Sequence, residues 1–134
     1  MKIVIIAGFF PYPAHFGGAY DVLERVKGLH SLGYEVDLVC TCKVIPDSEQ
    51  LQYLQHYVNQ LFVLPRKNKV IHLFSFIPLQ VLSRISLKYV SFNQKYDVAI
   101  LESESVGMIM KNKSFNAQKV CVRVHNNESK YFFN

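Results

Sequence analysis

No run of 18 apolar residues occurs in the chain, so no membrane-crossing helix is expected. Cysteine is scarce and odd in number, at Cys40, Cys42 and Cys121. An odd count without paired spacing argues against a disulfide framework and suits a reducing cytosol. Cys40-Thr41-Cys42 is not a zinc spacing, and all three read as small apolar residues near strand ends. Charged residues make up only 19% of the chain against 50% hydrophobic, which excludes a disordered polyelectrolyte. Neither G-x-G-x-x-G nor G-x-x-x-x-G-K-[ST] is present, so dinucleotide and Walker-type sites lack their fingerprints. A receiver domain would need acidic residues for Mg²⁺ after its first strand, where this chain has Gly8, Phe9 and Phe10. No metal-ligand cluster and no Ser-His-Asp or Cys-His arrangement stands out. Lys2 alone precedes the apolar residues 3–10, and acidic helical sequence follows, which argues against a signal peptide.

What is present is enough for one domain with a core: 134 residues. The formal net charge of +5 favours anionic partners such as nucleotides, sugar phosphates or acidic lipid headgroups. The Lys and Arg residues are spread along the chain, and no nucleic-acid partner is expected.

Strand and helix patterns alternate. KIVIIA, residues 2–7, is a β-branched run of the kind buried on both faces of a parallel sheet. Ala19, Val22, Leu23, Val26, Leu29 and Leu32 recur at helical spacing, with Asp21, Glu24, Arg25 and Lys27 on the other face. Gly33 stands where a helix C-cap belongs. Strands are expected at residues 35–40, 60–65, 96–103 and 119–125. A helix should begin at Pro46, Asp47 and Ser48, and a short one should cover residues 106–110. This alternation predicts a Rossmann-like, doubly wound α/β fold, with a mostly parallel sheet of about five strands and helices on both faces. In a 3-2-1-4-5 order, ligands bind beyond the carboxyl ends of the first and fourth strands.

The loop after the first strand, GFFPYPAHFGG, is long for such a connection. Pro11 and Pro13 stiffen it. Gly17 and Gly18 let backbone approach a ligand closely at the start of the first helix, where unpaired N–H groups attract anions. A diphosphate is the natural candidate; the alternative is a Gly-Gly that only turns the chain. His15 lies inside this loop and is a candidate ligand contact. His125 and Asn126 leave the fifth strand beside the same cleft, where an imidazole can hydrogen-bond a sugar hydroxyl or phosphate. A helix-entry role for His125 is the alternative. Glu102 and Glu104, leaving the fourth strand, are candidates for binding hydroxyls, with solvent-facing carboxylates as the commoner outcome. His30, His56 and His72 read as ordinary surface or partly buried residues. Residues 70–92 are apolar and aromatic, with Arg84 and Lys88 as their only full charges and Arg66, Lys67 and Lys69 just before. They read either as helix packed over a sheet face or as a surface meeting a membrane or lipid-linked substrate.

The stretch FFPYPAHFGGAYDVLERVKGLHSLGYEVDLVC resembles the opening of retaining glycosyltransferases of the GT-B fold, family-4 type. Its LHSLGYEV has Tyr34 where that group usually carries His, and VRVHNNE, residues 122–128, resembles the group's strand-end His followed by Asn or Asp. The resemblance implies a two-domain enzyme in which this chain, residues 1–134, is the N-terminal, acceptor-side domain. The backbone at Gly17 and Gly18 would approach the donor diphosphate, and His125 would contact the transferred sugar as the catalytic-site residue. It implies a UDP-sugar or GDP-sugar donor, a glycan or lipid-linked acceptor, and neither cofactor nor metal. The C-terminal donor domain with its Glu-x7-Glu motif has no counterpart in this sequence. The chain therefore reads as a fragment, inactive alone, of a cytoplasmic enzyme of cell-envelope polysaccharide biosynthesis that touches the inner face of the membrane. The competing reading is a non-catalytic Rossmann-like module that binds an anionic ligand or a protein partner.

Overall fold

In a computed structural model of the chain, residues 1–66, 81 and 83–124 are described. Five strands run β1 (Lys2–Ala7), β2 (Glu35–Cys42), β3 (Gln60–Pro65), β4 (Tyr96–Leu101) and β5 (Ala117–Val122). They form one sheet of order β3-β2-β1-β4-β5 with every pair parallel. This is the predicted α/β Rossmann-like arrangement.

The helices whose bounds lie among the described residues are α1 (Gly17–Ser31) and α2 (Ser48–Gln55), with short 3-10 helices over Ile85–Tyr89 and Glu104–Lys111. Helix α1 starts two residues before its apolar repeat and buries Ala19, Val22, Leu23 and Val26, the i, i+3, i+4, i+7 stripe of an amphipathic helix. Leu32, expected on that stripe, is the C-cap and is exposed, because the chain turns at Gly33 with φ +84°. Strand β2 runs two residues beyond its expected end. Strands β4 and β5 stop earlier than the sequence pattern implied, and the short helix of residues 106–110 is a longer 3-10 helix.

Strand alternation divides the core in two. Ile3, Ile5, Ala7, Leu38 and Cys40 face α1 and α2 and pack with Val22, Val26 and Leu54. Val4, Ile6 and Val39 face the other way, against Leu87, Val90, Phe92, Val106 and Ile109. The described part of the apolar segment thus covers one sheet face, whereas residues 70–80 and Leu82 lie outside the described residues. Cys40 and Cys42 are buried as expected, but Cys121 is exposed on edge strand β5, whose outer side chains have little packed over them.

The strand order reverses between β1 and β4. The connection from β1 goes outward to β2, and the chain later returns to the other side of β1. The carboxyl ends of these two central strands are where ligands bind in sheets of this topology.

Candidate functional site

The loop of residues 8–16 leaves β1 at this edge and is held in place by aromatic contacts. Tyr12 stacks on Tyr53 of α2 with ring centroids 3.7 Å apart, and Phe9 meets Phe16 edge-on at 4.9 Å. Offset and edge contacts of this kind contribute about 0.5–1.5 kcal/mol each beyond burial. Pro11, within the same loop, is buried. A shallow cavity of about 210 Å³ lies between this loop and the β2–α2 connection, lined by Phe10, Tyr12, His15, Val44, Ile45 and Gln50, among others. His15 thus lines this cavity, and Val44, which also lines it, is 81% exposed.

Helix α1 begins at the end of the loop with its first turn open. Its N-cap, Phe16, has no side-chain oxygen to offer, and the first turn carries no acidic residue. Helix α2 shows the contrast: Asp47 accepts from the Gln50 amide at 2.8 Å while the Gln50 side chain accepts from Asp47 N–H at 3.0 Å, closing a capping box. The initial N–H groups of α1 have no such internal acceptor and carry the positive end of a 15-residue helix dipole. Gly17 is exposed, and a Cβ there would meet nothing within 4 Å. Gly18 is half-covered: a Cβ would lie 3.2 Å from the Phe16 ring. Of the pair, Gly17 is the residue facing open space.

Glu102 departs from the solvent-facing carboxylate expected of it, being 1% exposed. Its carboxylate takes a salt bridge from Arg25 of α1 through one oxygen and one from Arg123, 3.3 Å away, through the other. Its backbone N–H extends the β1–β4 ladder to Ile6 C=O at 2.9 Å. Turned inward between two guanidiniums, Glu102 ties α1, β4 and the end of β5 together, rather than offering free oxygens to a sugar. Arg25 had read as one more charge on the outer face of α1; its contact with residue 102 could not be seen in a helical repeat. Glu104 is exposed as expected. His125 and Asn126 lie outside the described residues.

A second cluster escaped the sequence pattern. The Gly8 carbonyl accepts from Arg66, just past β3, and from Arg84 at 3.3 Å (Nε) and 3.1 Å (Nη2). A Cβ on Gly8 would lie 2.7 Å from Arg84 Nε, so the Arg84 side chain would have to shift to admit one. Arg84 is buried, and desolvation together with the nearby charge of Arg66 pulls its guanidinium down to about 10. Burial likewise lowers Arg66. The available signal was Arg84 itself, a lone guanidinium in an apolar stretch, since buried charge requires partners. Among the described residues no group of three or more His, Cys, Asp or Glu side chains is placed to hold a metal. No helix among them is long and apolar enough to cross a membrane.

No protein-family model matches the chain, and no solved structure matches it. It is similar to a Klebsiella pneumoniae protein described as an uncharacterized 44.6 kDa protein in the cps region, with 38% identity over 135 residues. The match covers 98% of this chain but 35% of that protein, so the chain spans about a third of its relative's length.

Proposed function

We propose that this chain is the acceptor-side domain of a retaining, nucleotide-sugar-dependent glycosyltransferase that builds capsular or related cell-envelope polysaccharide. The observation that carries the reading is the uncapped start of α1 at the carboxyl edge beside the β1–β4 reversal, with Gly17 bare and exposed. Backbone N–H groups aimed from a helix start stabilise a leaving nucleoside diphosphate without a metal, because they meet its developing charge and need no reorganisation. A relative encoded in a cps region supports a place in polysaccharide synthesis. In this proposal a second domain supplies most of the donor contacts, UDP- or GDP-sugar is the donor, and a glycan or lipid-linked sugar is the acceptor. His125 and Asn126 contact the transferred sugar, and His15 lines the acceptor side. The enzyme works on the cytoplasmic side, at the inner face of the membrane where a lipid-linked acceptor would be presented.

The test is sugar transfer by the two-domain protein carrying Gly17→Val. A side chain there meets no protein atom within 4 Å, so folding is expected to be unaffected. The same side chain would hold the diphosphate away from the first-turn amides, and turnover should fall by about a hundredfold. Turnover equal to that of the unmodified protein would refute the role of the helix start. Failure of the unmodified protein to transfer sugar from any UDP- or GDP-sugar would refute the activity.

A further inference from the structure

Two cavities lie side by side at the amino edge of the sheet, opposite the start of α1. One, of about 380 Å³, is lined by Lys88, Tyr89, Lys111, Asn112 and Lys113, among others. The other, of about 440 Å³, shares Lys113 with it and adds Lys95 and Phe115. Both are built from the segments that lead into β4 and β5. Lys88 is half-buried, whereas Lys95, Lys111 and Lys113 are exposed. Among the described residues no Asp or Glu lines either cavity, and none lies within salt-bridge range of these four lysines.

The lysines do not ride on independent loops. Asn112, 6% exposed, donates through Nδ2 to Leu87 C=O at 2.8 Å and Val90 C=O at 2.7 Å. Its Oδ1 accepts from Ser114 N–H at 2.9 Å and Phe115 N–H at 3.2 Å. The Ser114 hydroxyl accepts from Phe92 N–H at 3.0 Å. These bonds pin the segment bearing Lys111 and Lys113 to the one bearing Lys88 and Lys95. Like charges fixed together without acidic neighbours repel one another and project a positive potential, which an anionic partner relieves. Tyr89, at the same place, is 70% exposed, with Lys88 Nζ 5.7 Å from its ring centroid. Lysine stems and a tyrosine combine apolar bodies with polar tips, the composition suited to a membrane–water interface. A single-stranded nucleic acid would instead call for a groove with successive stacking aromatics. We propose that this patch docks on an anionic phospholipid surface, with the four ammonium groups against headgroup phosphates and Tyr89 entering the interfacial layer. The patch deepens the membrane placement in the proposed function by naming its contact surface; lipid binding itself does not rest on sugar transfer. A six-residue strand, about 20 Å long, separates this edge from the start of α1. A lipid-linked acceptor would therefore bring its glycan end, rather than its lipid phosphate, to the helix start.

The test is flotation of the protein with phosphatidylcholine vesicles, with and without phosphatidylglycerol, over a range of salt concentrations. Binding is expected only with phosphatidylglycerol and should weaken as salt rises. A lysine near an anionic surface is worth about fivefold in partitioning, so the double change Lys111→Gln and Lys113→Gln should weaken it about thirtyfold. Both positions are exposed, so folding is expected to be unaffected. Lys43→Gln with Lys119→Gln removes the same charge at exposed positions outside the patch and should leave partitioning within a few-fold of the unmodified protein. Tyr89→Ser should weaken binding while keeping its salt dependence, because it removes apolar contact and no charge. Equal losses in the two double variants would show that net charge alone attracts the protein, and would overturn the patch. So would equal flotation with and without phosphatidylglycerol, or none with either. Calorimetric binding of glycerol phosphate that depends on Lys111 and Lys113, without flotation, would assign the patch to a soluble phosphate ester and overturn the lipid surface. Each of these failures leaves the Gly17→Val prediction standing, and failure of Gly17→Val leaves the lipid surface standing.

Discussion

Single residues here differ most in what burial does to them. Asp37 is 1% exposed and accepts from Tyr96 Oη at 2.6 Å, Gln94 Nε2 at 2.6 Å and Gln60 N–H at 3.0 Å. Its place near the start of β2 puts this cluster at the amino edge of the sheet, away from the ligand edge, and gives it a structural role. Burial, and then the bond to Asp37, pushes the Tyr96 phenol above the usual tyrosine range. A folded-state value above the unfolded one means that this contribution to stability is complete below about pH 10 and is lost as pH rises past it. Tyr96→Phe should therefore lower unfolding free energy at neutral pH by about 1.5–3 kcal/mol, the worth of a hydrogen bond to a charged group. Urea titrations at neutral pH and near pH 11 check it. The difference between the two proteins should shrink at the higher pH, and a constant difference would count against the Tyr96–Asp37 bond as its source.

Elements differ in how their ends are closed. The start of α2 was legible from Pro46, Asp47 and Ser48, because capping is local, and the structure adds the Asp47–Gln50 capping box. Asp47→Ala should lower stability by about 1 kcal/mol, seen as a lower urea midpoint with unchanged slope. The turn at Gly33 was legible for the same reason, since its φ of +84° favours a residue without a Cβ. The start of α1 is left open by contrast with α2: Phe16, with no side-chain acceptor, stands at the N-cap, and Gly17 and Gly18 follow it.

At the scale of the whole molecule, Glu102 joins α1, β4 and the end of β5 through its salt bridges to Arg25 and Arg123. Glu102→Gln would leave two guanidiniums facing a neutral amide across a buried contact. Removing one partner of a buried ion pair typically destabilises by about 3–5 kcal/mol. Because Arg25 and Arg123 are partly exposed, the expected loss is at the lower end, about 3 kcal/mol, read by denaturant unfolding. Retained stability would show that solvent already screens the pair.

The sequence by itself determined the strands, the first helix and the parallel order, because each depends on residues a few positions apart. β-branched runs stopped by Gly or Pro make strands, an i, i+3, i+4 stripe makes α1, and alternation of the two leaves few right-handed arrangements. It also marked Gly17 as bare. Only the tertiary structure decided which charges meet. Arg66 and Arg84 reach Gly8 from 58 and 76 residues away, and Arg25 reaches Glu102 across 77. No periodic pattern records such distances. Long-range pairing follows from where the sheet delivers each strand end, and the cost of burying a charge then selects its partner from whatever the fold has brought near.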